Sequence, residues 1–146
     1  MDDPFDLERF VGAQQPVYAA VCAQLRAGHK SSHWMWFIFP QLKGLGSSPT
    51  AQHYGIASLA EARAYLAHPL LGERLRECTR LVNRVEDRTA QAIFGYPDYL
   101  KFRSCMTLFA CAADAAAAGA VFSEALQKYF AGAGDAHTRE MLRTSC

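Results

Sequence analysis

The run His33-Trp34-Met35-Trp36-Phe37-Ile38-Phe39-Pro40-Gln41 gathers several chemically capable side chains into nine residues of a 146-residue chain. Trp34 and Trp36 offer flat faces that can hold a planar ring. Gln41 carries both an amide donor and an acceptor, so it can read another amide or the edge of a base. Gly44, Gly46, Ser47 and Ser48 follow as a loop whose backbone N–H groups can approach an anion. Pro49 then suits the first turn of a helix with a positive dipole end, and Tyr54 closes the segment. His33 has the chemistry of a general acid or base near neutral pH. A second group, Asp98, Lys101 and Ser104, follows Pro97 at helical spacing. There Lys101 suits a phosphate and Asp98 suits acid–base work. Together the two groups fit a small-molecule enzyme acting on a nucleotide or ribosyl-phosphate-like ligand. His33, Asp98 and Lys101 are the catalytic candidates. Trp34, Trp36, Gln41, Gly44, Gly46, Ser47, Ser48, Tyr54 and Ser104 are the ligand-binding ones.

Each group also has a plainer reading. The tryptophans, with Phe37 and Phe39, can be core aromatics, and the glycine-serine stretch an ordinary turn, since neither G-x-G-x-x-G nor a Walker pattern is present. Asp98 and Lys101 can form a surface ion pair of little energetic weight. Glu61 is most economically the acidic half of a capping box. His33, His53 and His68 show no metal-binding spacing and no neighbouring carboxylates, so neither metal nor cofactor is expected. The rival to an enzyme is therefore a non-catalytic module that binds a ligand or a protein. A third reading makes the aromatic run an oligomer interface.

These side chains must be positioned by helices. Asp3-Pro4 reads as a cap and first turn, with Leu7, Phe10 and Val11 on one face. Pro16 opens a second helix that Gly28 ends. Ser58-Leu59-Ala60-Glu61 is a capping box, and His68-Pro69 ends the helix it starts. The stripe Leu71, Leu75, Cys78 and Val82 marks the next helix, and Thr89–Phe94 a short one closed by Gly95. Pro97 begins a longer helix carrying Leu100, Met106, Leu108 and Phe109 into an alanine-rich tract, Ala115–Gly119. Val121–Phe130 and Asp135–Leu142 complete the set. Only Trp34–Phe39 has strand composition, and a lone strand leaves its backbone groups unpaired. It is read as a short buried helix or an extended core segment. The expectation is one all-α domain over residues 1–146, compact, with about eight to nine short helices.

Bulk composition agrees: 51% of residues are hydrophobic and 20% charged, as in a packed globule. Fifteen basic residues nearly balance fourteen acidic ones, which disfavours a nucleic-acid-gripping surface. No apolar stretch approaches a membrane span, and no secretory signal is visible. The five cysteines form no CxxC pair and read as reduced thiols, so a cytoplasmic protein without membrane or nucleic-acid partners is expected.

The string His33–Gln41, continuing through Gly44-Leu45-Gly46-Ser47, resembles the domain-of-unknown-function 1810 family. Three further stretches agree: Tyr54-Gly55-Ile56, the block from Glu61-Ala62 to Leu71-Gly72, and Ile93-Phe94-Gly95 leading to Asp98, Lys101 and Ser104–Phe109. The likeness covers about residues 5–143. Phe102, Cys105 and Gly55 depart from the expected pattern, and Cys105 removes any hydroxyl role at its position. The resemblance implies a small all-helical bacterial domain without an established activity. Its size and aromatic content look loosely like the NADAR-type N-glycosidases, which cleave bonds between a ribosyl carbon and nitrogen. That is an analogy of fold, without matching catalytic motifs.

Overall fold

The computed structural model describes residues 3–113 and 119–142, so Ala115–Ala118 of the alanine-rich tract lie outside the described residues. Among those described, ten helices form: α1 Glu8–Gln14, α2 Tyr18–Arg26, α3 Met35–Ile38, α4 Pro49–His53, α5 Leu59–Ala67, α6 Leu71–Asn83, α7 Ala90–Phe94, α8 Asp98–Ala112, α9 Ala120–Phe130 and α10 Ala136–Leu142. The count exceeds eight to nine because single-turn helices such as α3 and α4 separate from their neighbours. The aromatic run resolves as α3, and among the described residues no strand accompanies it; an isolated parallel bridge joins Leu42 to Ile56. Among the described residues, no helix is long and apolar enough to cross a membrane.

Local chemistry sets the boundaries. The Ser58 hydroxyl accepts from the Glu61 amide at 3.1 Å, and the Thr89 hydroxyl accepts from Ala92 at 3.0 Å. Gly28, at φ +71°, terminates α2 in the left-handed region that a side chain would disfavour. His68 ends α5 with extended backbone, and its Nδ1 accepts from the amides of Leu70 and Leu71 at the start of α6.

The axis of the core is α8, which packs against α5, α7, α9 and α10. Phe102, Cys105, Met106, Leu108 and Phe109 are fully buried along it. Phe102 sits edge-on to Phe39 and stacked on Phe94, with ring centroids 5.1 and 4.6 Å apart. Leu100, placed in the apolar stripe by sequence, is instead 37% exposed on the first turn, where helix packing gives way to a surface hollow. Cys22, Cys78 and Cys105 are free and buried. Cys111, expected as a reduced thiol, is disulfide-bonded; it is half-buried on the last turn of α8.

One long-range clasp fixes the N-terminal helix. Arg9 donates to the carbonyls of Phe5, Asp6, His53 and Gly55, and its Nη2 meets the Glu61 carboxylate at 2.7 Å. The second Glu61 oxygen accepts from the Ala57 amide at 2.9 Å. Glu61 thus receives Ser58's cap but turns its own carboxylate to Ala57 and Arg9, which departs from a reciprocal capping box.

Candidate functional site

Two neighbouring hollows open between α3 and the start of α8, sharing Trp36 and Lys101 as a common wall. The first, about 300 Å³, is lined by Lys30, His33, Trp34, Thr50 and Asp98 among others. The second, about 320 Å³, is lined by Gln41, Gly46, Leu100, Ser104, Asp135 and His137 among others. Each lies at the lower end of the range for small-molecule sites.

The first hollow is built on a charge cluster. The Lys30 backbone amide donates to the Ile93 carbonyl at 2.8 Å, which carries this residue from the α2–α3 loop to the foot of α8. There its ammonium meets one oxygen of Asp98 at 2.8 Å, while Lys101 meets the other at 2.9 Å. Lys30 also lies over the Trp34 ring at 5.2 Å and Lys101 over the Trp36 ring at 4.5 Å. Burial works to raise the Asp98 carboxyl, but the hydrogen bonds and charges of Lys30 and Lys101 outweigh it and hold the carboxyl below the ordinary carboxylate value. Two ammonium groups around one carboxylate leave this hollow with net positive charge.

The sign of the resulting pH dependence follows from that depression. The stabilisation is present above the unfolded-state value near 3.8 and is lost as pH falls through the lower folded value. Thermal midpoints measured from pH 7 to pH 2 should therefore fall less steeply below pH 4 in Asp98→Asn than in the unsubstituted chain. Parallel acid limbs would contradict the pairing.

The second hollow is held by backbone. Ile56 donates to the Gln41 carbonyl at 2.9 Å and Lys43 donates to the Ile56 carbonyl at 2.8 Å, tying the loop after α3 to the end of α4. Gly46 permits close approach here. A Cβ on it would stand 2.8 Å from Ala51 and 3.0 Å from the Trp36 ring. The Gln41 residue is 6% exposed, yet among the described residues no hydrogen bond reaches its side-chain amide, which borders the hollow. The Ser104 hydroxyl donates to the Leu100 carbonyl at 3.1 Å. Asp135 accepts from Thr138 through one oxygen only, leaving the other lone pairs available.

His33, Trp36, Asp98 and Lys101 therefore come together, and Gln41, Gly46 and Ser104 join them across the Trp36 wall. The remaining candidates present no open binding surface to either hollow. Trp34 borders the first hollow but is 2% exposed beneath Lys30, and its indole N–H donates to Gln24 at 2.9 Å, so its ring is closed to a ligand. Tyr54 packs against Phe10, Phe37 and His53. Ser48 is occupied as the cap of α4, accepting from Ala51 at 3.1 Å, and Ser47 lends its carbonyl to the Gln52 side chain. Gly44 lies near Met141. None of Tyr54, Gly44, Ser47 and Ser48 borders either hollow. Sequence reasoning missed Lys30, Asp135 and His137. All three arrive by tertiary contact, and no local pattern announces them.

A third hollow, about 390 Å³, surrounds the Arg9–Glu61 clasp, with Lys43, Gln52 and His53 on its rim. Its buried charges are already matched to each other, which marks it as structural.

Comparison with known proteins places these features in context. No curated protein is similar enough to match this chain. The chain is similar to the conserved hypothetical protein Rv1873 from Mycobacterium tuberculosis, known from a crystal structure. The two share 59% identity over 97% of this chain and 99% of the other, with a TM-score of 0.93. The model of the protein family of unknown function DUF1810 matches residues 4–142, and the chain belongs to that family.

Proposed function

We propose that this protein is a small-molecule enzyme acting on a nucleotide or ribosyl-phosphate-like ligand held around Trp36 and Lys101, with hydrolysis of an N-glycosidic bond, as in NADAR-type enzymes, as its reaction. The observation that carries this reading is the meeting of a half-buried indole, a lysine shared by two hollows, and an ionised carboxylate. Hydrolysis breaks the bond from the anomeric carbon to nitrogen, whose electron pair leaves with the base. Water adds its oxygen to the carbon and a proton passes to the departing base. A carboxylate held below its ordinary value suits stabilisation of the cationic sugar better than proton acceptance, which gives that role to Asp98. His33 stands exposed on the rim of the first hollow, where it can exchange a proton with solvent. A cytoplasmic setting belongs to the same reading. The free thiols of Cys22, Cys78 and Cys105 support it, and the Cys111 disulfide stands against it.

Incubation with ADP-ribose, NAD and nucleoside 5′-monophosphates, followed by chromatography of released base, tests the reaction. Base release is expected from at least one of them, reduced at least a hundredfold in Asp98→Asn. Absence of release across the panel would contradict catalysis. The second reading, a non-catalytic binding module, is favoured by one specific observation: both Asp98 oxygens are already engaged by ammonium groups. It expects ligand binding that persists in Asp98→Asn without turnover in either protein.

A further inference from the structure

Resting on the reading above that a nucleotide-like molecule occupies this site, we infer that the two hollows are separate subsites, a phosphate seat at Lys30 and Lys101 and a base seat at Gln41, with the ligand lying across Trp36. Three observations on the molecule lead there. The hollows differ in charge. Lys30 and Lys101 outnumber Asp98 in the first, whereas in the second Lys101 faces Asp135. An anion is therefore favoured in the first, where the N-terminal end of the fifteen-residue α8 adds its dipole.

The second observation is Gln41. Its amide forms no hydrogen bond to the described residues and borders the opening, so a ligand entering there meets a free donor and acceptor. A glutamine amide presents an adjacent donor and acceptor, the complement of the exocyclic amine and ring nitrogen of adenine. The Trp36 indole beside it supplies a face for the same ring. The third observation is size. Each hollow by itself is at the low end for a ligand site, so phosphate fills one and a base the other, with a sugar spanning between.

Calorimetric or NMR titration of the full chain with adenosine, ribose 5-phosphate and ADP-ribose tests the division. Gln41→Leu should weaken adenosine and ADP-ribose about tenfold while leaving ribose 5-phosphate unchanged. Lys30→Met should weaken ribose 5-phosphate and ADP-ribose ten- to a hundredfold while leaving adenosine unchanged. Lys101 remains to pair Asp98 in that variant. Gln41→Met provides a second, volume-conserving replacement should the leucine variant lose its thermal transition. Equal weakening of both fragments by either variant would overturn the two-subsite division while leaving the nucleotide reading intact. Failure of the unsubstituted protein to bind ADP-ribose or either fragment would remove both.

Discussion

Replacing Arg9 by methionine should lower stability by about 3–5 kcal/mol, because it strands the Glu61 carboxylate in the interior. The Glu61 side chain is only 4% exposed, and its countercharge is Arg9, on a helix 52 residues earlier in the chain. The same substitution also strips donors from the carbonyls of Phe5, Asp6, His53 and Gly55, and removes the guanidinium from over the Phe10 ring at 4.4 Å. For a domain of this size such a loss corresponds to roughly 10 °C in the thermal midpoint. The paired replacement Arg9→Met with Glu61→Met should recover part of it, since removing both charges leaves no unmatched ion inside. A single-variant midpoint within 2 °C of the original would show that the clasp is dispensable.

Trp36→Ala should weaken ADP-ribose binding by about ten- to a hundredfold while changing stability far less than Arg9→Met. The indole is the wall between the two hollows, half-buried rather than sealed, and Lys101 lies over its ring. Removing it deletes the surface on which a base would stack, a contact worth about 1–3 kcal/mol in proteins that bind single-stranded nucleic acid. It also frees the Lys101 ammonium from its ring contact and merges two shaped hollows into one loose one. Trp34→Phe should behave oppositely. That residue is 2% exposed and bonded to Gln24, so its replacement should reduce stability and leave affinity within about threefold. A reversed pattern would move the site away from Trp36.

Helices were legible wherever a single residue type dictates backbone behaviour. Ser58 and Thr89 accept the capping amides expected of them, and Gly28 and Gly95 take the positive φ values at which helices end. Aromatic residues were harder, because composition alone does not separate a buried indole from a cleft-lining one. Trp34 and Trp36 lie two apart in sequence, so a short helix turns them in different directions, one inward and one to the cleft. Ser47 and Ser48 illustrate the opposite failure. A glycine-serine loop suits an anion on paper, but the close approach of Gly46 to Trp36 and Ala51 and the cap on α4 direct these serines elsewhere. Lys30 was illegible for a different reason. Its link to Asp98 spans 68 positions and depends on one backbone bond to Ile93, a property of tertiary packing. The Asp98–Lys101 pair, by contrast, is local and was readable from helical spacing.

Indole emission offers the most direct view of the proposed site, since the chain has two tryptophans and only Trp36 is accessible. Titrating the protein and its Trp36→Phe variant with ADP-ribose should give saturable quenching in the first and a much shallower response in the second, where Trp34 alone reports. Quenching of equal depth in both proteins, or no response in either across the nucleotide panel, would contradict a ligand site built around Trp36 and Lys101.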